Sequence, residues 1–442
     1  MKRVGILFSD FGPYHVARIE ALRVAMGQEG VELVAFRFTV RSDDYGWAPE
    51  DPKGVPVVTL AQSKPTSVPE AFKMAAAFGR ELRERKVDAV FLPTYSPLSN
   101  FLCFLAAKLA GCRTILMTES WHGTEGASLP GKLIKHVLVR MFDSALVGGG
   151  PQRDYVVAYG MPREKVFTGY DVVDVAHFSA RADKVRSMER GPGGVAAPPQ
   201  AEEVLIRSLP ERFFLNLGRF VEKKNLSTLV QAYARFARAS VEKHGAWSMD
   251  HGDMQSADGK AEPASQPIGI PADTAKSRHT LPSLVLVGEG PLRWDLERQA
   301  RDLGLIVRDG VVDPKPSGGA EVVFYPFQQA DMTPLFFARC EAFVLPSSRE
   351  EWGLVVNEAM ACGAPVIVSN RVGAHFDLVQ EGVNGFSFEP DDVAGLAQLF
   401  GRFDAEKNLR DRLGVAGRQR IEDWKPDRFG REGMRALEAS WS

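Results

Sequence analysis

Three short apolar runs in the second half of this chain, residues 213–216, 284–287 and 342–346, each give way to a glycine-bearing turn and then to a helix-forming pattern. A run too short to be a helix, rich in Val, Leu and Phe, reads as a buried strand. Strands alternating with helices commit a chain to an α/β fold, because parallel strands must be joined by crossovers that lie on the sheet faces. The first half shows the same alternation, with strands expected at 4–8, 31–38, 89–92, 114–117 and 145–147 and helices at 14–28, 70–85 and 98–110. The second continues through 322–325, 343–345 and 366–368. Two doubly wound, Rossmann-like domains follow, one over residues 1–180 and one over 204–423. Residues 189–203, rich in Gly, Pro and Ala, read as the linker, and the polar stretch 243–282 reads as a disordered insertion. The amphipathic stretch 424–442 reads as a final helix.

In an open α/β sheet, ligands bind beyond the carboxyl ends of the strands. The third junction places Glu350 in that loop and Glu358 about two turns into the following helix. Carboxylates accept hydrogen bonds from hydroxyl groups, while the free N–H groups of a helix N-terminus suit phosphate. The first junction carries Arg219 and Lys224, a guanidinium and an ammonium placed for a diphosphate, with Lys223 able to stand in for Lys224. At the second, Gly288 and Gly290 permit close backbone approach or simply make a tight turn.

The ordered set G-R-x5-K (from Gly218), V-G-E-G-P (from Val287) and E-x7-E (from Glu350), followed by A-M-A-C-G-A-P-V, resembles the retaining glycosyltransferases of family 4, also called group 1, which have the GT-B fold. The resemblance is strongest over residues 213–390 outside the insertion. It implies two domains facing across a cleft, a nucleoside diphosphate sugar as donor substrate, and the C-terminal helix returning to the first domain. It further implies that Arg219 and Lys224 hold the diphosphate, Glu350 meets the sugar hydroxyls and Glu358 the ribose. Backbone amides of Trp352, Gly353 and Leu354 would face sugar and phosphate. The family usually has Gly and Phe after the first glutamate, where this chain has Glu351 and Trp352. His122 resembles the histidine that such enzymes place near the donor sugar. Residues 169–174 resemble the interdomain turn. The acceptor would be a saccharide or lipid-linked hydroxyl, and a donor phosphate oxygen would take its proton.

The first domain should supply the acceptor side, with His15 and Glu119 as its candidates. Tyr325, with Phe327 and Phe336, could sandwich a base or fill the core, core being favoured for Phe336. A stripe of Leu133, Ile134, Val137, Leu138 and Met141 beside basic residues could hold anionic lipid, giving peripheral membrane association, but is expected to face its own core. Lys plus Arg at 54 against Asp plus Glu at 56 gives a net charge of −2, without bulk attraction to nucleic acid. The four cysteines form no C-x-x-C pair and the histidines lack zinc spacing, so no metal, cofactor or disulfide is expected. The N-terminus lacks a signal-peptide pattern and no apolar run approaches about 18 residues, so a cytoplasmic protein is expected, with the inner membrane face a further possibility. Two other activities fit parts of the pattern: a nucleotide-sugar epimerase of the same fold and a catalytically silent nucleotide-sugar-binding protein. A dinucleotide oxidoreductase does not, since the first strand is not followed by G-x-G-x-x-G.

Overall fold

A computed structural model describes residues 2–40, 49–124, 126, 128–189, 200–243, 281–313 and 319–442. Most of the expected linker (190–199) and of the expected insertion (244–280) lies outside the described residues, and residues 200–208 form the helix Gln200–Ser208.

Two parallel seven-stranded sheets carry the chain. The first comprises β1 (Arg3–Phe8), β2 (Glu32–Arg37), β3 (Val57–Thr59), β4 (Ala89–Pro93), β5 (Arg113–Thr118), β6 (Ser144–Val147) and β7 (Val166–Thr168), in the order β3-β2-β1-β4-β5-β6-β7. The second comprises β8 (Phe213–Leu217), β9 (Ser283–Val287), β10 (Ile306–Asp309), β11 (Glu321–Tyr325), β12 (Ala342–Leu345), β13 (Val366–Ser369) and β14 (Gly385–Phe388), in the order β10-β11-β9-β8-β12-β13-β14. In each, the chain starts in the middle and winds outward both ways, which leaves a crevice at the point where the order reverses.

Strand alternation divides the apolar residues between the two faces of each sheet. Val4, Ile6 and Phe8 of β1 join one core while Leu7 joins the other. Phe213 and Leu215 of β8 likewise part from Phe214. Burial on both faces is why the central strands read as continuous apolar runs. All four edge strands, β3, β7, β10 and β14, escape that reading, because each is only partly buried and so lacks the fully apolar run of a central strand.

The last helix, Pro426–Ala439, packs in the first domain against Pro13–Gln28. Phe429, Ala436 and Leu437 enter the core that holds β1. A Cβ at Gly430 would sit 2.7 Å from the Ala21 carbonyl oxygen, so this close helix contact requires glycine. Among the described residues no helix is long and apolar enough to cross a membrane.

Candidate functional site

The loop after β8 and the turn after β9 interlock through their backbones. Gly218 N–H donates to the Val287 carbonyl at 3.0 Å, and Phe220 N–H to that of Glu289 at 2.8 Å. Gly288 and Gly290 have φ of +142° and +154°, and a Cβ on either would lie 2.0 Å from Gly218 O or 2.5 Å from Phe220 O. Loop packing against the 218–220 segment therefore explains both glycines. Arg219, between the two paired positions, is exposed.

After Phe220 a short turn, Glu222–Lys224, ends at Asn225, a left-handed residue with φ +52°. The Asn225 amide pins it to the carbonyls of Pro346 and Pro390 at 3.2 and 2.8 Å. The lysines are thereby aimed at the loop after β12. Lys224 Nζ lies 2.6 Å from one Glu350 oxygen, and Lys223 Nζ lies 3.2 Å from the other and 3.2 Å from Glu351. Ser347 Oγ donates to the same carboxylate at 3.1 Å. Burial pushes the Glu350 carboxyl up, but the two ammoniums outweigh it and hold the group below its ordinary value. Lys224, expected on a diphosphate, is thus shared with Glu350.

Glu358 has the opposite environment. It is 4% exposed on the helix Leu354–Ala361 and receives hydroxyl hydrogen bonds from Tyr14 and Thr333. Burial dominates and raises its carboxyl to about 7. Seven intervening residues separate two glutamates held in opposite states, one ionised against lysines and one near its midpoint at neutral pH.

Gly353, with φ +98°, turns the chain into that helix, and Leu354 begins it. The Trp352 side chain turns inward: its indole N–H donates to Asn357 Oδ1 at 2.9 Å and its ring lies 4.9 Å from that of Trp424. Tyr325 corrects an expectation, since it is wholly buried with its hydroxyl donating to the Ser208 carbonyl at 2.8 Å, packs against Phe336, and cannot meet a base. Phe336 is buried and Phe327 half-buried.

The first domain closes the site with contacts that the sequence does not announce. The Trp121 indole donates to the Glu350 carbonyl at 3.0 Å, the Gln152 amide to that of Glu351 at 2.8 Å, and Gly150 N–H to the Asp377 carboxylate at 2.9 Å. His122 is exposed on the next turn, its ring 5.1 Å from that of Tyr155. His15 receives a hydrogen bond on Nδ1 from Gly12 N–H at 3.2 Å, and burial together with nearby Arg18 pushes it down to about 3. It is neutral and brings no charge to a phosphate. Glu119 is half-buried and hydrogen-bonded to buried Asp171 in the 169–174 turn, where Arg18 bonds Asp171 at 3.1 Å. Desolvation is the leading cause that raises both carboxyls, and the charge of Glu119 raises Asp171 further. Tyr14, Thr333, Trp121 and Arg18 are the residues that motif reasoning passed over, while Asp171 enters there only as part of the 169–174 turn. Trp121 adjoins His122 and Tyr14 adjoins His15, whereas Thr333 belongs to no local pattern. Among the described residues no group of three or more His, Cys, Asp or Glu could hold a metal ion.

Two doubly wound sheets whose carboxyl ends meet over paired lysines and glutamates define a two-domain protein of the GT-B architecture. Residues 272–420 match the family described as Glycosyl transferases group 1, and residues 15–168 match the Glycosyl transferase 4-like domain. The chain belongs to the group 1 glycosyltransferases. It is 32% identical over 147 residues to the sulfoquinovosyl transferase SQD2 of Arabidopsis thaliana, covering 32% of this chain and 25% of that protein. It is 26% identical over 241 residues to the lipopolysaccharide core biosynthesis glycosyltransferase LpsE of Rhizobium meliloti, covering 54% and 53%. The chain thus spans between a quarter and about half of the length of these relatives. The crystal structure of Anabaena Alr3699/HepE in complex with UDP and glucose superposes with a TM-score of 0.63 at 16% identity, covering 99% of both chains.

Proposed function

We propose that this chain transfers a hexose from a nucleoside diphosphate sugar to a hydroxyl of a saccharide or lipid-linked acceptor, with retention of configuration. The observation that carries this reading is the convergence of Lys223, Lys224, Glu350 and Glu358 from separate strand ends on one interdomain crevice. The diphosphate takes Lys224 and Arg219, which offset the negative charge that develops as the sugar departs. Glu350, released from part of its lysine contact, accepts the sugar hydroxyls, and Glu358 exchanges the Tyr14 hydroxyl for those of the ribose. The N–H groups at the start of Leu354–Ala361 face the phosphate. His122 stands near the donor sugar.

The acceptor attacks from the face the diphosphate leaves, and a phosphate oxygen accepts its proton, so no protein base is required. Three cations, Arg219, Lys223 and Lys224, supply the charge that a divalent metal supplies elsewhere, and the reaction proceeds in EDTA. The setting is cytoplasmic, at the inner membrane face when the acceptor is lipid-linked. UDP, the nucleotide bound in the Anabaena structure, is the first ligand to test. The expected result is a rise in melting temperature with UDP in EDTA that Lys224→Ala and Glu358→Ala both abolish. A shift retained in both variants would place the nucleotide elsewhere and overturn the assignment.

A further inference from the structure

The helix Leu129–Met141 leaves four of the five expected stripe residues, Leu133, Ile134, Val137 and Met141, exposed and Leu138 half-buried, contrary to the expectation from sequence. Leu129, Leu133, Val137 and Met141 recur at every fourth position with Ile134 beside them, and all five are 41% to 80% exposed. Val139 is the helix's buried residue. At 3.6 residues per turn the five span roughly 140° of the surface. Lys132, His136 and Arg140 follow one margin of the stripe, with Arg140 3.3 Å from His136. Lys135 turns inward instead and bonds the Tyr155 hydroxyl at 2.9 Å. The helix contains no Asp or Glu.

We propose that this helix docks the protein on an anionic lipid bilayer, with the apolar stripe in the interfacial layer and Lys132 and Arg140 against lipid phosphates. An exposed stripe bordered by basic side chains has the charge and polarity of a surface-lying membrane helix. A second copy fits it poorly. Thirteen residues make a helix about 20 Å long, and a stripe about 10 Å wide covers roughly 200 Å², against about 800 Å² per partner in a stable interface. Antiparallel pairing of two such helices would also bring basic margins together. The position gives docking a use. The helix follows the His122 turn, and Lys135 holds Tyr155, whose ring meets that of His122. Docking therefore turns the cleft mouth toward the bilayer, where a lipid-linked hydroxyl is found. That consequence rests on the function proposed above, whereas the docking does not.

The test uses the full chain with vesicles of phosphatidylcholine containing a third phosphatidylglycerol, and with vesicles of phosphatidylcholine alone, in a flotation assay. The expected result is binding to the anionic vesicles that falls about tenfold or more in Lys132→Glu/Arg140→Glu and at high salt, and is lost in Leu133→Glu/Val137→Glu. Both variants should keep the wild-type melting temperature and UDP response, since the altered side chains are exposed. Failure of docking is thereby distinguishable from failure of the donor site. Absence of wild-type binding, binding indifferent to both variants, or a concentration-dependent dimer that Leu133→Glu/Val137→Glu dissolves would each overturn the proposal.

Discussion

Glu358→Gln tests the reasoning about the site through stability alone, before any substrate is known. The carboxyl stands at about 7 in the folded protein against an ordinary 4.5, and burial is the leading cause. At about 1.4 kcal/mol for each tenfold change in proton affinity, ionising it in the fold costs about 3 kcal/mol. Between those two pH values the folded chain keeps a proton that the unfolded chain has released. Stability must therefore fall as pH rises through this window, with the full loss reached above the folded value. Glutamine has nearly the same shape, can accept the Tyr14 hydrogen bond and does not titrate. Urea unfolding followed by tryptophan fluorescence, run on both chains from about pH 5 to about pH 8, should show wild type losing about 2.5 kcal/mol relative to Glu358→Gln. The raised carboxyls of Glu119 and Asp171 contribute equally to both and cancel. Parallel pH profiles would refute the claim that Glu358 is buried without a compensating cation. If the same carboxylate accepts the ribose hydroxyls, UDP affinity should also rise with pH through about 7 in wild type and stay flat in the variant.

Lys224→Gln removes the 2.6 Å partner of a carboxylate that is 11% exposed and leaves it to Lys223; the expected cost is about 2 kcal/mol in urea unfolding, together with loss of the UDP response. Gly288→Ala forces a Cβ to within 2.0 Å of the Gly218 carbonyl oxygen at φ +142°, so the loops must part; a loss of about 3 kcal/mol is expected, and a melting temperature within a degree or so of wild type would contradict the interlock. Trp121→Phe keeps an aromatic side chain but deletes the N–H that bonds the Glu350 carbonyl together with part of a buried indole; stability should drop by about 2 kcal/mol and kcat should fall with the looser closure, so unchanged values of both would show that the bond does not hold the loop.

The residues that were legible in the sequence are those whose role is local. Central strands such as β8 and β9 are buried on both faces, and this writes a continuous apolar run that composition alone reveals. Strand-end glycines mark turns for a similar reason, and the positions of Arg219, Lys224, Glu350 and Glu358 follow from the junctions in which they stand. Two readings failed where a local pattern had two physical solutions. Tyr325 ends an apolar strand whether its ring faces ligand or core, and the Ser208 carbonyl, distant in sequence, which accepts from its hydroxyl, decided for the core. The stripe of Leu129–Met141 has the same periodicity whether it is covered or bare, and here the helix is held through Val139 while the stripe stays outside.

The sequence by itself determined two α/β halves, the strand-end positions of the cations and carboxylates, and a basic amphipathic helix, because each depends on residues within a few positions of one another. Only the tertiary structure decided what those groups meet. Tyr14 reaches Glu358 from 344 residues away, and Trp121 reaches the Glu350 carbonyl from 229. Those meetings, with lysines on one glutamate and only hydroxyls of Tyr14 and Thr333 on the other, separate the ionisation of two residues that are chemically identical. The reason is that a side chain's charge state depends on the dielectric and the partners around it, and these are assembled by loops that the winding of two sheets brings together, not by neighbours along the chain.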